Sequence, residues 1–198
     1  VGHAGTLDPL ATGVVVVCVG KATKLVDRLM GSTKVYEATI NLSGFTASDD
    51  AEYPPELVEV EVPSSREDVE HALAQQVGVI QQVPPMFSAV HVDGERAYKL
   101  ARAGERVEIK PRPVRVDAIE VLAYDWPSVD VRITCGKGTY IRSMARDLGK
   151  ALGTGGYLTA LRRTASGAYR VEDAINVERF EQPVVEGDLM PLDAVDVG

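Results

Sequence analysis

Between residues 36 and 42 the apolar and polar positions alternate without a break. Tyr36, Ala38, Ile40 and Leu42 fall on one side, and Glu37, Thr39 and Asn41 on the other. A period of two is that of a strand with one buried face. The segment is therefore expected to be a strand with Tyr36 on its apolar side, near one end. Val129, Val131, Ile133 and Cys135 repeat the pattern. PVRVDAIEVLAYDW (113–126) and YLTALRRTASGAY (157–169) read as further strands, the second ending in a turn. VVVVCVG (14–20) is apolar throughout, which predicts a strand buried on both faces. Three stretches carry the helical period instead. ATKLVDRLM (22–30) places Ala22, Leu25, Val26, Leu29 and Met30 together. SSREDVEHALAQQVG (64–78) has a serine N-cap and an acidic residue three positions on. GTYIRSMARDLGKALG (138–153) turns Ile141, Met144, Ala145, Leu148 and Leu152 inward. VEDAINVERF (171–180) predicts a last short helix, and Asp8-Pro9 a short helical turn that Gly13 closes. Several strands follow one another with no helix between them. That predicts an α+β fold on a mixed, mainly antiparallel sheet.

Composition adds little to this picture, and charge distribution adds more. The 198 residues are 45% apolar and 25% charged, as in an ordinary globular protein. No apolar run approaches the roughly 20 residues of a membrane span, and no basic leader precedes an apolar segment. Cys18 and Cys135 sit far apart in strand-like segments and read as buried thiols. A cytoplasmic location and no membrane partner are expected. The net charge is −8, yet the acidity is confined. Residues 49–70 hold nine acidic and one basic residue, and 171–198 hold eight and one. Residues 71–170 hold fifteen Lys and Arg against nine Asp and Glu. A polyanion meets the local field rather than the total, so a basic middle section leaves a nucleic-acid partner open.

The candidate chemistry begins in VGHAGTLDPLATG (1–13), where Asp8 sits among three glycines. Gly2, Gly5 and Gly13 remove side chains around it and would let a bulky ligand approach the backbone. A plain helix N-cap is the alternative use of such an aspartate. GKGTY (136–140) lacks the spacing of a nucleotide-triphosphate loop. Its glycines are expected to bend the chain from strand into helix, leaving Tyr140 and Arg142 at the helix start. Arg162 and Arg163 are candidate phosphate contacts, or else solvated surface.

Five ordered stretches together resemble the TruB family of tRNA pseudouridine synthases, which act on the T-loop uridine. They are GHAGTLDPLATGVVVVCVGKATKL, KVYEATINLSGFTASDD, VPPMFSAVHVDGERAYKLARAG, CGKGTYIRSMARDLG and YLTALRRTASG. The resemblance implies a pseudouridine synthase fold in which residues 1–198 are the catalytic domain. It also implies a thumb-like RNA-binding insertion at about 84–112. Val1 lies inside the glycine-rich loop, so a preceding segment is expected, and no PUA-like C-terminal domain is recognisable. By the same resemblance Asp8 is the catalytic aspartate, Tyr36 packs on the target base and helps remove its proton, and Arg142 pairs with Asp8. His3 would hold the flipped nucleotide, and Lys24, Tyr140 and Leu161 would line the site. The implied partner is the T-stem-loop of tRNA, with no metal, no organic cofactor and a monomeric enzyme. The sequence departs from the family pattern in its acidic loop, where an Asp is expected near Ala47 and a Gly near Tyr53. It departs again at Phe87 and His91, where Tyr and Lys are expected. A tRNA-binding folding factor with dispensable catalysis is the competing reading.

Overall fold

The alternation over 36–42 is realised at the centre of a sheet. The computed structural model describes residues 1–88, 90–92, 95–97, 108–191 and 195. Within them β1 (Gly2–His3) pairs antiparallel with β3 (Val17–Cys18), while β2 (Ala11–Gly13) runs elsewhere. A 3-10 segment (Gly20–Leu25) leads into α1 (Val26–Gly31), and β4 (Lys34–Asn41) follows. Next come β5 (Gly44–Phe45), β6 (Glu56–Leu57), α2 (Arg66–Ala74) and β7 (Gly78–Gln82). β8 (His91–Val92) and β9 (Glu95–Arg96) form a short hairpin. The chain continues through β10 (Arg112–Asp125), β11 (Ser128–Cys135), α3 (Ile141–Leu152), β12 (Tyr157–Ser166) and β13 (Tyr169–Arg170). The main sheet has the order β13-β12-β4-β11-β10-β7 and is antiparallel throughout, except that β2 joins β12 in parallel. The fold is α+β, as the pattern of strands and helices implies.

One face of this sheet carries the core. Ile40, Leu42, Val129, Val131 and Ile133 rise from β4, its continuation and β11. They meet Val69 and Leu73 of α2 and Ile141, Met144 and Leu148 of α3. Full burial of each such side chain contributes about 1.5–3 kcal/mol, which makes this layer the main stabilising element. α2 starts where its sequence says it should. The Ser65 hydroxyl accepts from the Asp68 amide, and the Asp68 carboxylate accepts from the Ser65 amide. The opposite face of the sheet is wet and charged, with Arg132 bridging Glu37 and Glu120.

Three expectations fail locally. VVVVCVG does not form a buried strand. Only Val17–Cys18 is paired, and Val15, Val17 and Val19 are exposed while Val14 and Cys18 are buried. Its only ladder partner is the two-residue β1, and the face that carries Val15, Val17 and Val19 stays open to solvent. VEDAINVERF is not one helix but two 3-10 turns, Val171–Asp173 and Val177–Glu181. The Asn176 side chain accepts the Glu178 amide and starts the second turn, competing with a continuous helix. Asp8-Pro9 opens a single turn, closed by the Ala11 amide donating to the Asp8 carbonyl, after which β2 begins. Residues 98–107 of the expected thumb-like insertion lie outside the described residues.

Candidate active site

Asp8 lies at the tip of an excursion whose base is tied twice. The β1–β3 pairing and an Ala4 amide donating to Val16 close one end. At the other end β2 is laid against β12, with Ala11 beside Leu161 and Gly13 beside Arg163. Leu10 and Ala11 pack on the main core, which fixes the turn that presents the carboxylate.

Arg142 is the second residue of α3, and its guanidinium uses its fork completely. Nε and Nη2 donate to the two Asp8 carboxylate oxygens at 2.9 and 2.8 Å. Nη2 also donates to the Phe87 carbonyl and Nη1 to the Ser48 carbonyl, both at 3.0 Å. Paired N–H donors on one carboxylate fix its plane as well as its charge. The two partners differ in access. The Arg142 side chain is 5% exposed and that of Asp8 30%, so the carboxylate is the member a substrate can reach.

A second carboxylate supports the pair from behind. Asp50, nearly fully buried, stands 3.6 Å from Arg142 Nη1 and accepts the Ser48 hydroxyl and the Glu52 amide. Its neighbour Asp49 has a left-handed backbone, φ +61°, and pairs with Arg146 at 2.8 Å. Burial pushes the Asp49 carboxyl up to about 6, against the opposing pull of Arg146 and Arg142. In the sequence 46–53 reads only as an acidic loop. Two adjacent acids flanked by Thr46 and Ser48, small hydroxyls able to satisfy them, were the available signal.

Tyr36 sits on β4 opposite Ile133 and Arg163. Burial raises its phenol above the ordinary tyrosine range, the Arg163 guanidinium works against that rise, and the Asp8 charge adds to it. Tyr140 caps α3 in an extended conformation, and Gln82 clasps both its amide and its carbonyl. Arg112 stacks 5.0 Å from the Tyr140 ring centroid. Leu161 is buried beside β2. His3 and Lys24 are exposed, on β1 and on the 3-10 segment respectively. The Phe87 ring lies 5.2 Å from that of Tyr53, which joins the two departures from the family pattern.

Two residues expected as phosphate contacts are engaged otherwise. Arg163 is 1% exposed and cannot meet an RNA phosphate, because its guanidinium is spent on the carbonyls of Gly5 and Val14. Arg162 points to the charged face of the sheet, away from the buried side that carries Leu161 and Arg163. There it borders a cleft of about 440 Å³ with Glu37, Arg132, Arg170 and Glu172. Among the described residues no cluster of His, Cys, Asp and Glu is arranged to hold a metal, and no helix is long and apolar enough to cross a membrane.

Known proteins place this geometry in a family. A family model described as TruB family pseudouridylate synthase (N terminal domain) matches residues 1–141. One described as tRNA pseudouridylate synthase B C-terminal domain matches residues 142–195. The boundary falls at the start of α3, and β12 from the second part is hydrogen-bonded to β4 and β2 from the first. The chain is 50% identical over 188 residues to a tRNA pseudouridine synthase B of Phocaeicola vulgatus, covering 92% of this chain and 77% of that protein. It is 52% identical over 203 residues to the protein of that name in Thermobifida fusca, covering 97% and 67%. Among solved structures, a Cbf5-Nop10-Gar1 complex matches with a TM-score of 0.63 and 32% identity over 85% of this chain. The match spans 41% of that chain. An H/ACA RNP bound to a substrate RNA containing 2'-deoxyuridine matches with a TM-score of 0.59, over 85% of this chain and 39% of that one. By its sequence over nearly its whole length, and by its fold, the chain belongs to the TruB family of pseudouridylate synthases.

Proposed function

We propose that the chain converts uridine 55 in the T-loop of tRNA to pseudouridine. The observation that carries this reading is the bidentate Asp8–Arg142 pair, in which the arginine is buried and the carboxylate is open. The isomerisation breaks the N1–C1′ bond, turns the base over and joins C5 to C1′. The C5 proton leaves, and N1 gains one. A stacked base cannot turn, so the nucleotide must first leave the loop, at a cost of a few kcal/mol. RNA loops make that step cheaper than duplexes do. Asp8 is the group at the glycosidic centre, attacking the sugar at C1′ or the base at C6. An oriented, ionised carboxylate serves either course, and Arg142 holds it in place. Tyr36 lies against the base and mediates loss of the C5 proton. His3 and Lys24 are exposed where a flipped nucleotide and its phosphates would be steadied. Tyr140 and Leu161 form the walls. The reading assigns no metal and no organic cofactor, and a monomer acting in the cytoplasm.

The test is turnover of an unmodified T-stem-loop RNA by the parent and by Asp8→Asn. Conversion by the parent only, with RNA bound by both, supports the reading. Binding without conversion by the parent supports a folding factor instead.

A further inference from the structure

Arg163 is a large side chain sealed from solvent, 1% exposed. Among the described residues no carboxylate pairs with it. A buried guanidinium without a counter-ion is expensive, and a hydrocarbon of similar volume would fill the space at lower cost. Its contacts indicate what holds it there. Nε donates to the Val14 carbonyl at 2.8 Å, Nη2 to the Gly5 carbonyl at 3.0 Å and Nη1 to the Thr6 carbonyl at 3.5 Å. These three carbonyls lie on both sides of Asp8 in the chain. The Arg163 backbone holds the same loop again, since its carbonyl accepts the Val14 amide at 2.9 Å. Across the sheet its register partner is Tyr36. One residue therefore touches both flanks of the Asp8 turn and stands beside the tyrosine.

We propose that Arg163 is a positioning residue, which clamps the two flanks of the Asp8 turn and supplies the positive charge that steadies the Tyr36 oxygen as its proton moves. The titratable groups that bear on that oxygen come from three elements. Arg163 on β12 favours the phenolate and Asp8 on the loop opposes it, while Cys135 on β11, a thiol that burial pushes up to about 11, opposes it only once deprotonated. Burial opposes it most. Arg163 is thus the group that offsets an otherwise unfavourable setting for a proton-transferring tyrosine. A lysine cannot take over the clamp, because one ammonium on a flexible stem does not span carbonyls on two chain segments.

The inference rests on the roles given above to Asp8 and Tyr36, and its test separates the two. A fluorinated tyrosine at position 36 gives a single 19F signal with a phenol acidic enough to titrate in the folded protein. In Arg163→Met the titration midpoint is expected to rise by about one pH unit or more, and in Arg163→Lys by less. On T-stem-loop RNA the single-turnover rate is expected to fall at least about tenfold in both, with RNA affinity unchanged. Should the Met variant fail to fold, Arg163→Gln, neutral but able to donate, replaces it with the same expected rise. A midpoint that does not move in a folded neutral variant overturns the inference, and so does a single-turnover rate within about twofold of the parent. If the parent itself does not turn over, the functional reading has failed, and the 19F midpoint alone decides the role of Arg163.

Discussion

Gly13 lies so close to Arg163 that a Cβ on it would stand 2.1 Å from the Arg163 carbonyl oxygen. Its φ of +107° is itself disfavoured for residues with a side chain. Gly5, at φ +116°, is set by its backbone rather than by space, since a Cβ there would meet the Arg163 guanidinium at 3.4 Å. Gly13 thus lets β12, with its buried arginine, lie directly against the Asp8 turn. Gly13→Ala is expected to destabilise the fold by at least about 2 kcal/mol, because backbone rather than a flexible side chain must move. Urea unfolding checks this, and an unchanged midpoint would contradict it.

Arg142→Lys keeps a positive charge and discards the fork. Asp8 then loses the second donor that fixes its plane, and the Ser48 and Phe87 carbonyls lose their partner. The single-turnover rate on T-stem-loop RNA should fall by roughly a hundredfold. A rate near that of the parent would show that charge alone suffices.

Asp49 should leave a signature in the pH dependence of stability. Its folded carboxyl titrates at about 6, above the ordinary 3.8 of the unfolded chain. Between these values the folded state binds more protons, so stability falls as pH rises through the window. Asp49→Asn cannot titrate. Relative to it, the parent should lose about 2 kcal/mol on going from pH 4 to pH 7. Parallel stability curves for the two proteins across that range would refute the assignment.

Arg162 and Lys24 should separate in salt titrations of RNA binding. Arg162 faces the charged side of the sheet and donates to Thr12, while Lys24 is exposed with no charged partner among the described residues. Lys24→Ala should lower the slope of log affinity against log salt by about one, and Arg162→Ala should leave it unchanged. A reduced slope for Arg162→Ala would place RNA on the far face of the sheet.

The parts of the molecule with a clean period were legible in the sequence. Alternation along 36–42 and 129–135 places β4 and β11, and Ile141, Met144 and Leu148 mark the inner face of α3. The VVVVCVG run misled because a period-free apolar segment carries no information on which face is covered. Asp8, Arg142 and Tyr36 came from a family resemblance, and the structure supplies their geometry. Arg163 was misplaced on the general expectation that arginines are solvated. The strand's own period argued otherwise, since Leu161 inward implies Arg163 inward two residues later. Asp49 and Asp50 were invisible as individuals because their partners, Arg142 and Arg146, lie some ninety residues away.

The most direct test of the central claim is single-turnover conversion of T-stem-loop RNA by the parent and by Asp8→Asn, with RNA affinity measured on both. The amide keeps the size of the carboxylate and loses its charge and nucleophilicity. The account predicts pseudouridine from the parent, none from the variant, and comparable binding by both. Conversion by Asp8→Asn at the parental rate would contradict it.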